Sequence, residues 1–104
     1  MSVKKPKISV LIPVHNGADT LAETVASILN QTFADFELLL FDDASTDASP
    51  EIINSFADSR IRRFRSDANL GISEARNRLM ELAEGEYLAV MDHDDLSAPR
   101  RLEK

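Results

Sequence analysis

The sequence has 104 residues, which is enough for one domain and no more. Its 43% hydrophobic and 29% charged content is that of an ordinary globular chain, and a formal net charge of −6 argues against nucleic acid, whose phosphates are neutralised by Lys and Arg. The lack of cysteine excludes disulfides and thiolate metal sites, and no apolar run approaches the roughly 20 residues of a membrane span.

In chain order, the apolar run from Ile8 to Val14 predicts a first strand. A helical period follows over residues 20 to about 31, with Leu21, Val25, Ile28 and Leu29 on one stripe and Thr20 with Glu23 as a capping box. The run from Phe36 to Phe41 predicts a second strand. A short helix is expected from Pro50 to Ala57, capped by Ser49. Ile61 to Phe64 alternates with Arg60, Arg62, Arg63 and Arg65, which points to an edge strand with a solvated face rather than an anion site. A third helix is predicted from Ile72 to Glu84, closed by Gly85 in a left-handed turn, before a last strand from Tyr87 to Met91. The first, second and last strands are nearly continuous in apolar residues, as strands buried on both faces are. Alternation of strands and helices implies an α/β, Rossmann-like fold: a mainly parallel sheet of about four strands with helices on both faces.

Ligands of such sheets sit at the carboxyl ends of the strands, and the polar residues gather there. The first strand runs into Pro13-Val14-His15-Asn16-Gly17, the second into Asp42-Asp43, the third toward Asn69-Leu70-Gly71 and the fourth into Asp92-His93-Asp94-Asp95. Carboxylates two apart on a tight loop can reach one hard cation, Mg²⁺ or Mn²⁺, which keeps positions open for phosphate oxygens. An Asp-rich turn capping a following helix is the plainer alternative, but the buried run Leu88-Ala89-Val90-Met91 ahead of it favours the metal. Asp42-Asp43 divides between Asx-turn chemistry and a carboxylate facing a base imino group. His15 is open to three roles: metal ligand, catalytic base or stacking surface. Arg76 either counters a phosphate or pairs with Glu74 or Glu81.

Together these blocks resemble the family 2 glycosyltransferases of the GT-A fold over essentially the whole chain. The carrying phrases are Val10 through Gly17, Ser27-Ile28-Leu29-Asn30-Gln31-Thr32 with Phe36-Glu37, Phe41 through Asp47, Asn69-Leu70-Gly71 with Ala75-Arg76-Asn77, and Ala83-Glu84-Gly85-Glu86-Tyr87 before the acidic motif. The resemblance implies the GT-A N-terminal half and transfer of a sugar, with inversion, from a nucleotide-diphosphate donor, a UDP-sugar foremost. The acceptor would be a saccharide or a lipid-linked hydroxyl in polysaccharide biosynthesis. It further implies that Pro13 and His15 line the nucleoside pocket, where the family more often has Tyr at the position of His15. Asp43 would bind the base, Asp92 would lie by the ribose, Asp94 would ligate the metal, and Arg76 would lie near the donor.

A cytoplasmic location is implied, at the inner membrane face in a full-length protein. Residues 1–104 are expected to be the nucleotide-sugar-binding portion, truncated after the acidic motif, with the catalytic base beyond Lys104 and no transfer by this portion alone. The competing reading is a nucleotide-binding module without chemistry. A phospho-acceptor receiver would place paired acids after the first strand, and a nucleotidyltransferase would carry a Gly-rich loop there; Pro13 to Gly17 offers neither.

Overall fold

The computed structural model describes residues 6–31 and 35–91, which fold as one layered α/β unit. Strand β1 (Ile8–Val14) is followed by helix α1 (Ala18–Leu29), strand β2 (Phe36–Asp43), helix α2 (Ser49–Ser55), strand β3 (Ile61–Ser66), helix α3 (Ile72–Leu82) and strand β4 (Tyr87–Val90). The four strands form one sheet in the order β3-β2-β1-β4, and every pairing is parallel. Register runs from Ile8 opposite Phe36 and Tyr87 to Val14 opposite Asp42.

Period-two alternation divides the sheet into two apolar faces. Ile8, Val10, Ile12 and Val14 of β1 pack with Leu38 and Leu40 of β2 beneath Leu21, Val25 and Ile28 of α1 and Ile53 of α2. Leu11, Leu39 and Phe41 point the other way and meet Ala75 and Leu79 of α3. Both faces of β1 and β2 are thus covered, and every residue of these two strands is buried. Chain order explains where a ligand can enter. The chain winds outward from β1 to β2 to β3, then crosses back to β4 on the far side of β1. The direction of winding thus reverses between β1 and β4, and open α/β sheets take ligands at the carboxyl ends of their strands near such a reversal.

Several local expectations change. Helix α1 begins at Ala18 with Gly17 as its cap and no side-chain cap, so Thr20 and Glu23 form no capping box. Helix α2 starts at Ser49 itself, with Ala48 before it, because the Ser49 hydroxyl accepts a hydrogen bond from Gly17 N at 3.0 Å instead. Helix α3 ends at Leu82, and Ala83 turns extended at φ −70° and ψ 139°. Gly85 adopts no left-handed turn; a Cβ there would stand 2.6 Å from Ser9 N and 2.7 Å from Ser9 Oγ, so it is a close approach to β1 that requires glycine. Strand β4 is an edge, with Tyr87, Leu88 and Val90 at 61%, 47% and 38% exposure, rather than a strand buried on both faces.

The arginines of β3, and Arg60 just before it, turn back onto the protein. Arg60 binds Asp58 at 2.7 Å and lies over the Phe36 ring, holding the Asp58 carboxyl down at about 2. Arg62 donates to Glu37 and Leu82 O, Arg63 to Ile53 O and Phe56 O, and Arg65 to Asp42. The run braces an edge strand instead of waiting for an anion.

Candidate functional site

The site is built from three loops at the carboxyl ends of the strands. Asn16, in the left-handed region at φ 53°, turns the chain sharply after β1 and accepts Thr46 N on its Oδ1 at 2.8 Å. Three successive amides of this loop then find acceptors in the loop after β2. Asn16 N donates to Ser45 Oγ at 3.0 Å, Gly17 N to Ser49 Oγ at 3.0 Å, and Ala18 N to Asp47 Oδ2 at 3.1 Å. Burial pushes the Asp47 carboxyl up, but the Ser49 and Ala18 donors outweigh it and hold the group below its usual value. The amino end of α1, where dinucleotide-binding sheets cradle a diphosphate, is therefore filled by the protein's own side chains.

Asp42 and Asp43 end β2 on opposite faces, and both are 3% exposed. Asp42 accepts Ser45 N at 3.1 Å and Arg65 at 2.8 Å, which makes it a turn-former. Asp43 is a hub. Its carboxylate accepts Leu70 N at 2.7 Å and Gly71 N at 2.9 Å, and its carbonyl receives His15 Nδ1 at 2.7 Å. A carbonyl only accepts, so the ring nitrogen must be Nδ1–H, which in neutral imidazole leaves Nε2 as the acceptor. Asp43 thereby ties β1, β2 and the approach to α3 together through three bonds.

A cleft of 290 Å³ opens over this hub, lined by Pro13, Val14, His15, Asp43, Asn69, Gly71 and Ala75. Its volume falls at the lower end of small-molecule pockets, with an apolar floor and a few polar groups on its walls. Of the residues named from the sequence, Pro13, His15 and Asp43 are brought together in this cleft. Arg76 follows Ala75 on α3, half-buried and outside the lining; the helix pair seen is Arg78 with Glu74 at 3.3 Å. Asp92, Asp94 and Asp95 lie outside the described residues, just beyond Met91, whose N–H still donates to Leu11 O at 3.0 Å. Among the described residues no group of three or more His, Asp or Glu side chains could hold a metal ion; Asp42 and Asp47 are committed to backbone amides and Arg65. None of the described helices is long and apolar enough to cross a membrane.

Sequence reasoning missed Asn69 as a wall of the cleft, although it stands in the Asn69-Leu70-Gly71 phrase, and it missed a polar network at the opposite pole. There Gly85 N donates to Ser9 Oγ at 2.8 Å, Ser9 Oγ to Glu37 Oε2 at 2.6 Å, and Glu84 N to Glu37 Oε2 at 2.7 Å, while Arg62 reaches Glu37 Oε1 at 3.1 Å. A Ser and a Glu inside otherwise apolar strands were the available signal.

The sequence profile described as "Glycosyl transferase family 2" matches residues 9–104. EpsE of Bacillus subtilis (strain 168) is 42% identical over 102 residues, covering 95% of this chain and 37% of that protein. The UDP-Glc:alpha-D-GlcNAc-diphosphoundecaprenol beta-1,3-glucosyltransferase WfaP of Escherichia coli is 40% identical over 88 residues, 85% of this chain and 35% of its own. Residues 1–349 of S. aureus TarS, solved with UDP, superpose at a TM-score of 0.88 with 29% identity over 93% of this chain and 30% of theirs. A mannosyltransferase, PcManGT from Pyrobaculum calidifontis with GDP-Man and Mn²⁺, superposes at 0.82 with 26% identity, covering 94% of this chain and 30% of that one. The chain thus spans less than half the length of these relatives. A profile matched over nearly every residue, on an all-parallel sheet that superposes on GT-A structures, gives the conclusion: the chain belongs to glycosyl transferase family 2.

Proposed function

We propose that this chain binds a nucleotide-diphosphate sugar, a UDP-sugar first of all, and that the whole protein transfers the sugar with inversion to a hydroxyl of a saccharide or lipid-linked acceptor at the cytoplasmic face of a membrane. The observation carrying this reading is the cleft over Asp43, in which Pro13, His15 and a buried carboxylate converge at the strand ends. Pro13 and the ring of His15 offer flat surface to a base, and Asp43 offers acceptor lone pairs to its N–H.

The filled amino end of α1 leaves the diphosphate in need of another counter-charge. A divalent cation, Mg²⁺ or Mn²⁺, meets that need by neutralising charge on the departing nucleotide. Asp94 would hold it and Asp92 would lie beside the ribose. Arg76 would lie near the donor. A general base for the acceptor hydroxyl is assigned to no described residue. The 104 residues alone are therefore expected to bind donor and transfer no sugar, with a loss of roughly 10²–10⁴-fold from the missing base. That expectation fits the share of the relatives' length that this chain spans.

Calorimetry of UDP with and without Mn²⁺ tests the reading. Binding that strengthens with Mn²⁺, and a response abolished by Asp94→Asn but kept by Asp95→Asn, is expected. Loss on Asp95→Asn with Asp94→Asn unchanged would reverse the assignment. Mn²⁺-dependent binding by a chain that never transfers sugar, even when extended through the relatives' full length, would favour a binding module without chemistry.

A further inference from the structure

The polar network around Glu37 lies at the amino pole of the sheet, roughly 20 Å from Asp43 along β2 at about 3.3 Å per residue. Ser9 stands in register between Glu37 of β2 and Leu88 of β4. Its hydroxyl donates to Glu37 Oε2 at 2.6 Å and accepts Gly85 N at 2.8 Å. Glu37 Oε2 also accepts Glu84 N at 2.7 Å, while Oε1 takes Arg62 at 3.1 Å. The residues leading into β4 are thus bound to β1 and β2 through one buried carboxylate and one buried hydroxyl. Strand β4 has little else to fix its register. It pairs on one side only, through four residues, and Tyr87, Leu88 and Val90 are exposed. Apolar side chains occupy both of its faces, so burial barely separates the observed pairing from one slipped by a residue. Such a slip would move the strand by about 3.3 Å, more than the length of a metal–oxygen bond, and Asp92 is the second residue after Val90.

We infer that Glu37 is a positioning residue for metal-dependent nucleotide binding: with Ser9 it sets the register of β4 on β1, and so where the chain delivers Asp92 and Asp94. This deepens the metal reading proposed above and rests on it. Glu37 acts at a distance. Its effect passes through Glu84 and Gly85 into the β1–β4 ladder, which ends on the bond from Met91 N to Leu11 O at 3.0 Å. Loosening this clamp should leave the cleft over Asp43 intact, because none of the residues lining that cleft belongs to β4. It should weaken only what the cation adds.

Calorimetric titration of UDP, with and without Mn²⁺, into the unaltered chain, Glu37→Gln and Asp58→Asn tests the inference. Asp58→Asn weakens a different ion pair at the same pole, that with Arg60, and controls for lost stability. The gain in affinity that Mn²⁺ brings should fall about 10-fold in Glu37→Gln, with metal-free affinity held within about twofold. Asp58→Asn should keep the gain. Hydrogen exchange at Met91 N–H should quicken, relative to the amides of β2, in Glu37→Gln alone. A role in stability alone would instead lower metal-free and metal-dependent binding together, through the folded fraction. Should Glu37→Gln not fold, Ser9→Ala, which removes both hydroxyl bonds, carries the same outcomes. If Glu37→Gln retains the full gain, or if Asp58→Asn loses as much of it, the assignment of Glu37 falls while the metal reading stands. If Mn²⁺ strengthens nothing in the unaltered chain, both fall together.

Discussion

Ala44 sits at φ 55°, a region where a Cβ crowds the following carbonyl oxygen and costs about 1–2 kcal/mol. The turn demands it: immediately after β2 the chain must double back so that Ser45 N can reach Asp42 Oδ1. Ala44→Gly should therefore stabilise the protein by about 0.5 kcal/mol, the strain relieved less the added freedom of glycine in the unfolded chain, read by urea denaturation. Glu37 makes a prediction of the opposite kind. Burial pushes its carboxyl up, but hydrogen bonds from Glu84 N, Ser9 and Arg62 outweigh burial and leave it below 4.5. A depressed folded-state value contributes stability that is present above 4.5 and lost as pH falls through the folded value. Melting temperatures from pH 6 down to pH 3 should fall less steeply for Glu37→Gln than for the unaltered chain, from a lower starting point. The sequence offered only a faint signal for this group, because a single Glu in an apolar strand reads equally as a solvated residue. His15 was open to three roles for the same reason, and only the bond to Asp43 O fixes its ring.

At the scale of elements the sequence was most legible where periodicity is long. Strands β1 and β2 and the buried stripe of α1 stand in the chain as runs and spacings, and their packing follows. Helix starts were less legible, because the capping groups of α1 come from the loop after β2, about thirty residues away, through Asp47 and Ser49. Strand β4 misled for a different reason. Its apolar run promised two covered faces, while Leu88 and Val90 are half-exposed on the face that α3 covers for β1 and β2. Gly85 is what lets β4 lie against β1. Gly85→Ala would press a methyl into the Ser9 backbone, which cannot rotate away. A loss of about 2–3 kcal/mol is expected, or on the order of 10 °C in Tm by differential scanning calorimetry, where a surface change such as Glu86→Ala would cost little.

Across the whole molecule, strand order turns three separate polar phrases, after β1, β2 and β3, into one site. Parallel strands deliver their carboxyl ends to a single edge, so Pro13, His15, Asp43 and Asn69 meet although they are spread over more than fifty residues. That convergence was readable because the rule for open α/β sheets is topological and needs no side-chain detail. The division of labour within it was not readable: which Asp turns the chain, and which side chains take the amides at the start of α1. We propose that the cleft over Asp43, and neither the amino end of α1 nor the arginines at β3, receives the nucleotide. Amide chemical shifts of the ¹⁵N-labelled chain during titration with UDP and Mg²⁺ test it directly. Saturable shifts are expected at His15, Asp43 and Asn69 through Ala75, with Gly17, Ala18 and Arg60 through Arg65 little changed. Shifts centred on Gly17 and Ala18 or on the β3 arginines, with Asn69 through Ala75 unmoved, would contradict it.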